Sequence, residues 1–145
     1  MPSASDLLRL KSCDVYTIEP AATVLAATRA MNSHRVGALL VMSDERLEGI
    51  FTERDVLTRV VAQGRDPSTT LTSEVMSTDL FCCEPGTDLD EIAEAMRKRR
   101  IRHVPVRQSD GQVIGVISIG DVNAFHVNQK QATIDGLCGY INQRA

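Results

Sequence analysis

An internal duplication limits what this chain can fold into more than any other feature. Gly49-Ile50-Phe51-Thr52-Glu53-Arg54-Asp55 returns as Gly115-Val116-Ile117-Ser118-Ile119-Gly120-Asp121, displaced by 66 positions. Upstream, Val15-Tyr16-Thr17-Ile18-Glu19-Pro20 returns as Leu80-Phe81-Cys82-Cys83-Glu84-Pro85 at a displacement of 65, and Val36 to Val41 match Ile101 to Val106 at that same displacement. The extra residue falls where Ser43-Asp44-Glu45-Arg46 faces Gln108-Ser109-Asp110-Gly111-Gln112, a polar turn that absorbs an insertion without disturbing the strands around it. Each copy is therefore one supersecondary unit, and a tandem pair is the expected architecture.

Within each copy the periodicity predicts a strand, a helix, a two-stranded hairpin and a second helix, an α/β (α+β) class built twice. In copy one the apolar run Val15 to Ile18 stops at Pro20, and Val24, Ala27, Thr28 and Met31 form one helical face. In copy two Thr87 is the expected helix cap, with Leu89, Ile92, Ala93 and Met96 as the buried stripe and Arg97 to Arg100 in the last turn. The hairpins are expected at Ala38 to Met42 with Leu47 to Thr52, and at Val104 to Arg107 with Val113 to Ser118. The boundaries read as repeat one over 6–64, a polar linker over 65–72, repeat two over 73–128 and a tail over 129–145. Ile134, Leu137 and Ile141 predict an amphipathic helix from Ala132 to Gln143 in that tail.

Composition removes several functions. The net charge is −3 and only 3% of residues are aromatic, with no Trp, which disfavours nucleic acid as a partner. No apolar run approaches the roughly 18 residues of a membrane span and no signal peptide opens the chain, so the expected location is the cytoplasm. Cys13, Cys82, Cys83 and Cys138 match no zinc spacing and read as reduced core thiols. His34, His103 and His126 lack an apparent nucleophile partner, and no phosphate-binding Walker loop or dinucleotide glycine fingerprint is present. A catalytic role is not expected, and no metal or cofactor is required.

The doubled Gly-hydrophobic-x-Thr/Ser-x-x-Asp ending, the Val15-Tyr16-Thr17-Ile18-x-Pro20 opening and the Arg102-His103-Val104-Pro105-Val106 strand together resemble the tandem CBS-domain (cystathionine β-synthase domain) module in its free-standing bacterial form. That resemblance covers residues from about Asp6 to about Val127. It implies two repeats related by a pseudo-twofold axis, with clefts for adenosyl ligands: AMP, ADP or ATP, with S-adenosylmethionine and NAD(H) as alternatives. It also implies a homodimer, and a regulated protein partner whose identity the residues do not disclose.

Carried over residue by residue, the resemblance gives Asp55 and Asp121 the ribose hydroxyls, and Thr52 and Ser118 the ribose or phosphate. It places Val15, Tyr16 and Ala38 beside the base in one copy, with Leu80, Phe81 and His103 at the matching places of the other. Arg102 and His103 supply phosphate contacts where copy one has the uncharged Gly37 and Ala38, and Arg54 partly compensates where copy two has Gly120. A helix N-terminus at each motif favours phosphate. The same Thr-x-x-Asp and Ser-x-x-Asp spacings are also capping boxes that need no ligand. Three functions stay open: a nucleotide or metabolite sensor, an interaction scaffold with vestigial clefts, and a redox-linked regulator acting through Cys82 and Cys83.

Overall fold

A computed structural model describes residues 2–11 and 15–135. The chain forms two compact units, and these exchange segments relative to the duplicated copies. One unit holds Asp14–Phe81 with Ser109–Ile114; the other holds Met1–Cys13, Cys82–Gln108 and Gly115–Ala145. Residues 6–11, counted above with repeat one, thus belong to the unit of copy two, and the expected linker 65–72 lies inside the unit of copy one.

In the first unit β1 (Thr17–Ile18) runs parallel to β2 (Ala38–Ser43), which pairs antiparallel with β3 (Arg46–Thr52). The β2–β3 turn has two residues, Asp44 and Glu45, both at positive φ, the twist that a two-residue hairpin requires. Helix α2 (Val24–His34) starts at Thr23, whose hydroxyl accepts from the Ala26 N–H, and buries Val24, Ala27 and Met31. They meet Leu39, Val41 and Phe51 of the sheet in one core. Helix α3 (Glu53–Asp55) widens into a π-helical run, Val56–Val61, in which the Ala62 N–H reaches back five residues to the Leu57 carbonyl.

The segment expected as a polar linker is hydrogen-bonded into this unit. The Val24 N–H donates to Thr70 O, and the Thr72 N–H and hydroxyl both donate to Ala22 O. Short helix α4 (Thr72–Val75) follows and adds Val75 to the core beside Phe51. Polarity marked these residues as a turn, but their backbone groups found partners that no local pattern announces.

The second unit contains α1 (Ala4–Leu10), α5 (Leu89–Arg99), β4 (His103–Arg107), β5 (Val113–Ser118, crossing the unit boundary at residue 114) and α6 (Ile119–Asp135). Helix α1 opens with a complete capping box between Ser3 and Asp6 and buries Ala4, Leu7 and Leu8. It is tied to the turn before α5 by Ala4 N–H to Thr87 O, Ser5 N–H to Pro85 O and Leu89 N–H to Pro2 O. Helix α5 buries Leu89, Ile92 and Met96, as its spacing predicts, but Asp88 rather than Thr87 is the cap. The Thr87 hydroxyl is already accepting the Glu84 N–H. Arg100 leaves the helix in the left-handed region at φ 56, as Arg35 does after α2 at φ 57.

The opening strand expected at Leu80 to Cys83 shrinks to one parallel bridge, Cys83 with Val106. Helix α6 continues unbroken through Asp135, so no separate helix begins at Ala132, and the rest of the expected 132–143 helix lies outside the described residues. No helix among the described residues is long and apolar enough to cross a membrane.

The motif glycines serve the exchanged segments. A Cβ on Gly49 would stand 2.8 Å from the Ser77 carbonyl oxygen, and one on Gly115 would stand 2.8 Å from a Leu8 methyl carbon. Each glycine lets the segment that follows α4, or α1 itself, lie directly on the strand.

Candidate functional site

In the first unit the pairing of β1, β2 and β3 gathers the expected residues at one end of the sheet. Ala38 lies opposite Thr52, and the Tyr16 carbonyl accepts from the Leu40 N–H. The Glu53 N–H, the first of α3, donates to Gly37 O across the same end. Val15 and Tyr16 are half-buried, and the Tyr16 ring stacks on the His34 imidazole with centroids 3.9 Å apart and planes 16° apart.

Asp55 is buried, with 4% of its surface exposed. Its Oδ2 accepts from the Thr52 N–H at 2.9 Å and the Thr52 hydroxyl at 3.2 Å. Its Oδ1 takes the Ser77 hydroxyl at 3.3 Å and lies 3.6 Å from Arg59 Nε. Arg59 also donates to the carbonyls of Val75 and Met76. In this conformation both carboxylate oxygens serve the protein, and the capping box is complete. Arg54 is exposed on the same first turn.

The second unit repeats the plan with different neighbours. The Ile119 N–H donates to Arg102 O, as Glu53 does to Gly37. The Ser118 N–H donates to Asp121 Oδ2 at 2.9 Å, and the Asp121 N–H returns a bond to the Ser118 hydroxyl at 3.0 Å. Here the carboxylate stays accessible, its side chain 24% exposed, and its added partner is a cation: Lys11 Nζ stands 2.5 Å from Oδ2. The same ammonium donates to Val116 O at 2.9 Å. Arg102 is exposed and His103 half-buried at the head of β4. Leu80 and Phe81, expected beside them, fall at the end of the first unit, so the second unit by itself assembles only His103, Arg102, Ser118 and Asp121 of the expected set.

Lys11, Ser77 and Arg59 are the site residues that sequence reasoning missed. Ser77 and Ser12 occupy equivalent positions in the duplication, and Lys11 is matched by Met76. That register placed Lys11 just ahead of an opening strand, the one available signal. Its contact with Asp121 spans 110 residues and has no local signature.

Cys83 is buried, and burial, reinforced by the neighbouring Cys82, pushes its thiol up to about 12. Burial also raises the Cys82 thiol, partly opposed by Arg107. Thiolate chemistry is correspondingly suppressed at both. At pH 8 the peptide carrying Cys82 and Cys83 should alkylate with iodoacetamide far more slowly in the folded protein than in urea, as followed by mass spectrometry. Equal rates would show that the thiols are accessible and ionised. Among the described residues no group of His, Cys, Asp and Glu is placed to hold a metal ion.

A groove of about 670 Å³ lies between α2 and the helix that starts at Glu53. Thr28, Met31, Val36, Val56, Leu57 and Val61 are among its lining residues, and Leu57 and Val61 are 63% and 64% exposed.

Comparison with known proteins agrees with the duplicated plan. The family model described as the CBS domain matches residues 4–62 and again 73–126. The CBS domain-containing protein YhcV of Bacillus subtilis is 33% identical over 132 residues, 91% of each chain. A solved CBS-domain protein from Burkholderia ambifaria superposes with a TM-score of 0.86 at 33% identity, covering 90% of this chain and 97% of that one. The CBS-domain protein ATU1752 of Agrobacterium tumefaciens superposes at 0.81 with 35% identity, covering 86% and 99%.

Proposed function

Because the chain belongs to the CBS-domain family, we propose that it is a non-catalytic regulatory module that binds an adenosyl ligand and reports its occupancy to a protein partner. AMP, ADP and ATP are the preferred ligands, ahead of S-adenosylmethionine and NAD(H). The observation that carries this reading is Asp121. It is a carboxylate at the start of a 17-residue helix, accessible to solvent and beside Ser118. The exposed side chain of Arg102 begins the neighbouring strand-side turn. A carboxylate accepts from vicinal ribose hydroxyls, while a helix N-terminus and a guanidinium favour phosphate. A ligand that prefers one arrangement of the chain shifts the population toward it by that difference in affinity, which is all that regulation of a partner requires. Self-association as a homodimer belongs to the same proposal, and exposed Leu57 and Val61 support it.

A second reading, a scaffold with a vestigial cleft, is favoured at the first copy alone, by the burial of Asp55 and the occupation of both its oxygens. Thermal unfolding with AMP, ADP, ATP, S-adenosylmethionine, NADH and a GMP control tests both. A ligand at a hundred times its Kd stabilises the native state by about 2.7 kcal/mol, and each kcal/mol raises Tm by about 2–4 °C in a chain of this size. We expect a rise with adenosyl compounds that Asp121→Ala abolishes, measured against its own ligand-free control. No rise with any of them at millimolar concentration would leave the scaffold reading for the whole chain.

A further inference from the structure

The two motif carboxylates differ in one respect that the duplication does not explain. Buried Asp55 meets a serine hydroxyl and, at 3.6 Å, the Arg59 guanidinium from its own helical run, whereas the partly exposed Asp121 is held at 2.5 Å by an ammonium 110 residues away in sequence. Lys11 is itself fixed by its second bond, to Val116 O on β5, and it extends from the end of α1, whose apolar face is buried in the same unit. Solvent still reaches the pair, with side-chain exposures of 32% for Lys11 and 24% for Asp121. Water that reaches both groups of this half-buried pair screens it in part, so rearranging it costs less than breaking a fully buried pair.

We propose that Lys11 makes the Asp121 site select phosphate-bearing adenosyl ligands over the neutral nucleoside and over cationic adenosyl compounds. The proposal rests on the adenosyl-binding reading of this site. Ribose hydroxyls that donate to Asp121 compete with Lys11 for the same carboxylate. A neutral nucleoside leaves the displaced ammonium with the Val116 carbonyl and water. A phosphate supplies it with a new anion near the N-terminus of α6, where backbone N–H groups favour the same charge. A sulfonium ligand brings a second positive charge toward the ammonium and is disfavoured. Lys11 therefore acts on affinity in opposite directions for ligands that share the same adenosine.

Titration calorimetry on the 145-residue chain tests this with adenosine, AMP and S-adenosylmethionine against the wild type, Lys11→Met, Lys11→Arg and Asp121→Asn. We expect Lys11→Met to weaken AMP by about tenfold or more, the scale of one charge-assisted hydrogen bond. Adenosine and S-adenosylmethionine should bind that variant equally well or more tightly than the wild type, and Lys11→Arg should retain the preference for AMP. Ligand-free thermal unfolding confirms that each variant is folded, and a chain that loses adenosine binding along with AMP because it is misfolded is recognised there. If Lys11→Met moves AMP and adenosine by one common factor, or moves neither, while Asp121→Asn still weakens AMP, the selectivity role is overturned and the adenosyl reading stands. If the wild type takes up no AMP, or Asp121→Asn leaves its uptake unchanged, the reading of this site falls and the role of Lys11 with it.

Discussion

Phe51→Ala should lower stability by about 3–5 kcal/mol, the range for emptying a fully packed aromatic site. Phe51 on β3 is completely buried in one core with Val24, Ala27 and Met31 of α2, Leu39 and Val41 of β2, Val60 of the π-helical run and Val75 of α4. These neighbours come from four different elements, so they cannot close the void by one small shift, and the cost should fall at the upper end. Urea denaturation measures it directly. Phe51→Leu, which keeps most of the apolar volume, should recover much of the loss. A cost near 1 kcal/mol for Phe51→Ala would mean that the core of this unit can collapse around the hole.

The second large effect is expected in α1 and should appear far from the substitution in sequence. Leu7→Ala should cost about 2–5 kcal/mol, because Leu7 is 3% exposed in the unit formed with residues 82–108 and 115 onward. Hydrogen exchange should therefore speed up in α5, β4 and the start of α6, and remain nearly unchanged in β2 and β3. The reverse pattern would place α1 with copy one, contrary to its bonds with Pro85, Thr87 and Leu89.

The repeat, its elements and their apolar faces were legible because each rests on a local pattern. Val24, Ala27, Thr28 and Met31 announce a helix with one apolar face, and the polar Ser43–Arg46 turn between β-rich runs announces a hairpin. What escaped reading depends on partners distant in the chain. Nothing near Thr72 shows that its hydroxyl will bond Ala22, and nothing near Lys11 shows that it will meet Asp121. The pairs Thr52–Asp55 and Ser118–Asp121 were legible as capping boxes, and the ribose role proposed for them, which the family resemblance implies, would use the same atoms. Burial separates them: Asp55 is enclosed by Ser77 and Arg59, and Asp121 remains open to solvent. The opening run of copy two misled because Leu80 to Cys83 have strand character, yet Cys83 alone bridges a neighbouring strand.

The placing of α1 in the unit of copy two has a consequence for the order in which the protein comes off the ribosome. Almost all of the first unit has emerged once residue 81 is free, and α4 completes its core soon after Phe51 and Leu39 appear. Helix α1 emerges before any of this and must wait for its partner strand, with 105 residues separating Lys11 from Val116. At about 5–20 residues per second that delay is about 5–20 s. Throughout it, Ala4, Leu7 and Leu8 present an apolar stripe that still lacks its partners. A chaperone that recognises short apolar segments would find its best opportunity there, and slowing translation across residues 82–115 would prolong it.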